Sequence, residues 1–92
     1  MSENQIFVTV TGVDKVGIVA KVATALALLE VNIEDIKQTI MQDNFVMIML
    51  CNISTMDVSF KEFKEDLLNL SKELGMEIWV QKKDIFDKMH TI

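Results

Sequence analysis

Arginine is absent from this chain. Its 92 residues include nine basic ones, and all are lysines: 15, 21, 37, 61, 64, 72, 82, 83 and 88. Without a guanidinium fork, bidentate recognition of phosphate or of guanine is excluded. Fourteen acidic residues set the formal net charge at −5, which argues against nucleic acid, since that affinity rests on neutralising phosphates. Histidine occurs once, as His90 in the tail, and cysteine once, as Cys51. No Ser/His/Asp or Cys/His arrangement can be built without that terminal histidine. One Cys and one His supply no closed zinc set, and the carboxylates follow no calcium-loop spacing. A lone cysteine makes no internal disulfide and fits a reducing compartment. No apolar run approaches the ~20 residues that span a bilayer. The first ten residues carry Glu3 and Asn4 but no basic stretch of the kind that opens a signal peptide. The expectation is a cytoplasmic protein that is not an enzyme, holds no metal or cofactor, and meets neither nucleic acid nor membrane.

Half of the residues are hydrophobic, so one small domain covering residues 1–92 can bury a core. A domain this size gains from oligomerisation. Gln5 to Thr11 alternates and is rich in β-branched residues, as a strand requires. Gly17 to Glu30 reads as a helix, with Ile18, Val22, Leu26 and Leu29 on one stripe. Ile33 to Met41 is a polar-rich strand, as at a sheet edge. Phe45 to Ile53 is apolar on both faces, which demands a central strand covered on both sides. A second helix follows. Ser59 and Glu62 form a capping box, Val58 and Phe63 a hydrophobic staple, and Gly75 a left-handed cap. Its apolar stripe is Phe60, Phe63, Leu67, Leu70 and Leu74. Met76 to Lys82 is a fourth strand. Asp84 then caps a short helix bearing Ile85, Phe86 and Met89.

The order is β-α-β-β-α-β plus a short C-terminal helix, with no proline, repeat or low-complexity break. Its natural solution is an α+β, ferredoxin-like sandwich: a four-stranded antiparallel sheet with two helices on one face. Two helices leave the other face of the third strand uncovered. The terminal helix, a partner subunit or both must shield it, a physical reason to expect a homodimer.

The segment with the most chemistry runs from Gly12 to Ile18, between the first strand and the first helix. Amides near Val16, Gly17 and Ile18 offer a carboxylate the positive end of a helix. Asp14 can balance an ammonium, and Asn32, just after that helix, both donates and accepts hydrogen bonds. The ordinary explanation stands beside this one and is the weightier on residue chemistry alone. In it Asp14 caps the helix, Gly17 permits tight packing and Asn32 makes a turn. Cys51 sits in the most apolar strand and reads as a buried thiol. Met47 and Met49 read as adaptable fillers rather than ligands.

The run Val10-Thr11-Gly12-Val13-Asp14-Lys15-Val16-Gly17-Ile18-Val19 resembles the signature of ACT domains. So does Leu29-Glu30-Val31-Asn32-Ile33-Glu34-Asp35-Ile36, and the element order agrees. The length and the ending Ile85 to His90 are similar to small stand-alone ACT-domain proteins of bacteria and archaea. The resemblance implies a regulatory module that binds an amino acid or related small molecule at an interface between paired domains. It implies ligand contacts at Asp14, Val16, Gly17, Ile18 and Asn32. Many members have proline before the second glycine. Val16 stands there in this chain and leaves the loop less rigid. The competing expectation is an adaptor whose sheet face and terminal helix dock another protein without any ligand.

Overall fold

The computed structural model describes residues 4–13 and 16–89, apart from the side chains of Phe86 and Met89. The elements in chain order are β1 (Gln5–Val13), α1 (Ile18–Leu28), β2 (Asn32–Met41), β3 (Asn44–Asn52), α2 (Phe60–Leu74), β4 (Glu77–Lys82) and α3 (Lys83–Met89). The four strands form one antiparallel sheet in the order β2-β3-β1-β4. This is the ferredoxin-like sandwich, with β2 and β4 at its edges.

Alternation in β1 and β3 builds the core. Ile6, Val8 and Val10 pair with Cys51, Met49 and Met47 on the helix-covered face, and all six are fully buried. Ile18, Val22 and Leu26 of α1 and Phe63, Leu67 and Leu74 of α2 close over them. No polar or charged residue is buried among the described residues, so the core is held by apolar packing alone. On the other face Val46, Ile48 and Leu50 of β3 are only half-buried. The helix α3 packs against β1 and β4 and leaves Ile85 half exposed. Whether Phe86 and Met89 share in that cover lies outside the described side chains.

Most boundaries move by one or two residues from the sequence reading: β2 starts at Asn32, β3 runs Asn44–Asn52 and β4 starts at Glu77, and three further shifts have a physical cause. β1 runs two residues further, through Gly12 and Val13, because Gly12 pairs with Phe45 and Val13 with Asn44. A Cβ at Gly12 would stand 2.6 Å from the Met76 sulfur, so this glycine serves close packing inside the strand rather than the loop. The helix α1 stops at Leu28, and Glu30 takes up the left-handed turn with φ 61°. Asp84 is not the cap of α3; the helix starts at Lys83 and Asp84 lies in its first turn, where its charge suits the helix dipole. The boundaries of α2 hold: the Ser59 side chain accepts from Glu62 N at 3.1 Å, and Gly75 closes the helix at φ 68°.

Candidate functional site

Four of the five candidate residues belong to the junction after β1. Gly17 takes the left-handed conformation (φ 83°, ψ 4°), and its carbonyl accepts from Lys21 N at 2.9 Å. That bond starts α1. Gly17 stands at the N-cap and has no side chain to cap the helix, and no acidic residue stands in its first turn. The leading amides and positive dipole end of such a helix favour an anion. Ile18 is buried against the core, so it offers a ligand its amide and not its side chain. Val16 is fully exposed. Asp14 lies outside the described residues. Apolar side chains crowd this end of the sheet: Val13, Val16, Ile40 and Met41 are all more than half exposed.

Asn32 stands at the opposite end. It pairs with Asn52, which pairs with Gln5 at the start of β1, whereas the loop follows Val13 and its partner Asn44. The eight steps from Asn44 to Asn52 separate the two ends by roughly 26 Å at ~3.3 Å per residue. Within one chain the loop and Asn32 do not meet.

Around Asn32 a polar group has formed that the sequence did not reveal. A register shift between Ile33 and Asp35 bulges β2 at Glu34. The Glu34 carboxylate accepts from Gln5 Nε2 at 2.7 Å and Asn52 Nδ2 at 3.4 Å. The Thr55 hydroxyl donates to the Glu30 carbonyl at 3.1 Å, and Ser54 N donates to Asn52 Oδ1 at 2.8 Å. Glu30, Asn32, Asn52, Ser54 and Thr55 line a shallow cavity of about 540 Å³ together with Ala27 and Val31, and the Glu34 bonds hold Asn52 beside it. The nearest reactive group is Cys51, but burial, and next the Glu34 charge, push its thiol up to about 12. It stays protonated and is no nucleophile near neutral pH. Among the described residues no three His, Cys, Asp or Glu side chains group as metal ligands. No helix among them is long and apolar enough to cross a membrane. His90 lies outside the described residues.

A four-stranded sandwich whose first helix starts at a left-handed glycine beyond the first strand is the architecture of the small regulatory domains called ACT domains. The chain belongs to the ACT-domain family, whose pattern matches residues 4–81. It is 49% identical over 87 residues to the UPF0237 protein of Methanococcus maripaludis, covering 95% of this chain and 97% of that one. The UPF0237 protein of Methanopyrus kandleri is 44% identical over 85 residues, covering 92% and 94%. Among solved structures, an ACT domain protein from Streptococcus pneumoniae superposes with a TM-score of 0.79 at 31% identity over 96% of each chain. A formyltetrahydrofolate deformylase from Pseudomonas syringae gives a TM-score of 0.77 at 23% identity, with 26% of its own length covered. That last likeness is one of fold alone.

Proposed function

We propose that this protein is a homodimeric sensor of an amino acid or a closely related metabolite, acting by regulation and not by catalysis. The carrying observation is the separation of the two half-sites. The loop at Gly17 and the polar cavity at Asn32 lie at opposite ends of one sheet, so a two-fold axis at the β2 edge would bring each to the other half on a second subunit. The exposed edge of β2 suits that pairing. With Ile36 at the axis, Asp35 falls opposite Lys37 of the partner subunit twice over, on one face. The same register carries the partner's Asn32 towards Ile40 and Met41 at the loop end. The exposed Val13, Val16, Ile40 and Met41 would then be covered.

In this arrangement the amides of Val16, Gly17 and Ile18 hold the carboxylate, Asp14 balances the ammonium, and the partner's Asn32 closes the pocket. The absence of arginine favours a carboxylate over a phosphate at the helix start. Membership of a family of small-molecule-binding domains supports the same reading. Titration calorimetry against the common amino acids tests it, with native mass spectrometry to count subunits and retained ligand. One saturating ligand per subunit on a dimer is the expected result. A well-folded dimer silent across the panel would overturn the ligand assignment, and a monomer at micromolar concentration would overturn the shared site.

A further inference from the structure

The opposite edge of the sheet carries a second feature. A groove of about 650 Å³ runs between α2 and β4, walled by Phe60, Leu67, Leu68, Ile78, Trp79 and Val80. Leu68 and Trp79 are each 55% exposed, a large apolar surface for the edge of a small domain. Among the described residues β4 has one strand neighbour, β1. Along Ile78–Val80 the sheet therefore offers an open edge of the kind that accepts a further strand.

The charge of this groove opposes that of the chain. Lys61 and Lys64 stand on its helix side with a single carboxylate, Glu65. Lys64 Nζ lies 5.6 Å from the Phe60 ring centroid and Lys82 Nζ 5.3 Å. Two ammonium groups share one ring, so positive charge is concentrated at the Phe60 end of an apolar trough. At physiological ionic strength charges beyond ~8 Å are screened. These lysines, rather than the overall −5, decide what the groove attracts.

We propose that the groove binds an extended acidic segment of a different protein, added to the sheet as a strand along β4. Backbone pairing gives such a complex its affinity, and alternate side chains give it specificity. On the α2 side, an aliphatic side chain fills the space between Leu68 and Ile78. A carboxylate two residues along meets Lys61, Lys64 and Lys82 beside Phe60. The intervening residues of the segment face the other way, towards the exposed Trp79. A second copy of this chain is the occupant the test must separate from it, since two-fold pairing along β4 would run α2 antiparallel to α2 and set the two lysine clusters at opposite ends of the seam.

The test uses Trp79, the only tryptophan in the chain, as its reporter. The probe is a capped octapeptide repeating glutamate-threonine-isoleucine-threonine. We expect a saturable shift in Trp79 emission, weakened about tenfold by Lys61→Glu combined with Lys64→Glu, the size of two lost charge pairs plus the repulsion that replaces them. Both lysines are exposed, and circular dichroism confirms the variant fold. The same peptide with lysine for glutamate, or with alternate amides N-methylated, should leave Trp79 unchanged. The proposal is overturned by equal binding of the lysine peptide or by retained binding of the N-methylated one. It is also overturned by no response to millimolar acidic peptide, or by Trp79 emission that shifts with protein concentration alone.

Discussion

Gly17 holds φ 83° with nothing within 4 Å of where a Cβ would stand. Space is no obstacle there, but the backbone is, because a left-handed residue with a Cβ costs about 1–2 kcal/mol. Gly17→Ala should therefore lower unfolding stability by about that amount in urea denaturation, and Gly17→Asn by less, since asparagine tolerates this region. Equal losses for both would point to a steric cause instead. Ser59 is the contrasting case, for its role is a side-chain bond. Ser59→Ala removes the 3.1 Å acceptor for Glu62 N and should cost about 1 kcal/mol, read from the same denaturation curves. Cys51 makes a prediction about pH. Its folded value of about 12 stands above the ~8.5 of an unfolded thiol. Its contribution is complete below pH ~8.5 and is lost as pH rises towards 12, because only the unfolded chain can ionise there. At pH 10 wild type should have lost about 2 kcal/mol relative to pH 7 from this source. Cys51→Ala, less stable at neutral pH through its cavity, should lose none of that part. Urea denaturation of both proteins at the two pH values measures the difference, and parallel losses would sink the assignment.

The elements divide into those whose signals are local and those whose meaning depends on a neighbour. The helix α2 was readable almost to the residue because Ser59, Glu62 and Gly75 punctuate it within its own sequence. β3 was readable as central because residues apolar on both faces have only one place in a sheet. The end of β1 was not readable: Gly12 looks like a loop residue until Met76, distant in sequence, is seen packed against it. The bulge at Glu34 left no trace either, since Asn32 to Asp35 fits a plain strand or a turn equally well. The same limit fell on the candidate site. Residue types named both halves, but the 26 Å or so between them is a property of antiparallel topology and not of any motif. β2 is the element on which the proposed dimer rests, and its charges allow a test. Asp35→Lys sets two lysines against each other on each side of the axis, and should weaken the dimer by about tenfold, at roughly 0.2–1 kcal/mol for each lost or repulsive contact. Lys37→Asp should do the same. The double exchange restores both pairs and should recover the affinity, measured by sedimentation equilibrium. Failure of the double variant to recover would rule out this register.

At the scale of the whole molecule, a site split between subunits makes ligand affinity and dimerisation one equilibrium. A ligand that binds only the dimer tightens it, and dilution of the dimer weakens the ligand to the same extent. Saturation at 100 times Kd should add about 2.7 kcal/mol of stability, several degrees in Tm for a domain of this size. Those effects would follow from any dimer-specific site. Mixing two defective proteins separates the shared site from the rest. In the proposed site, Gly17→Asp places a carboxylate where the ligand's own would be held, and Asn32→Ala removes the opposite wall. Each homodimer then carries two damaged sites and should not bind. In a mixed dimer one site receives both defects, while the other joins an unaltered loop to an unaltered Asn32. Random exchange of equal amounts makes half the dimers mixed, so about one site in four should regain full affinity. Calorimetry on the mixture reads that fraction directly. If loop and asparagine acted within a single chain, every chain in the mixture would still be defective, and no binding would return.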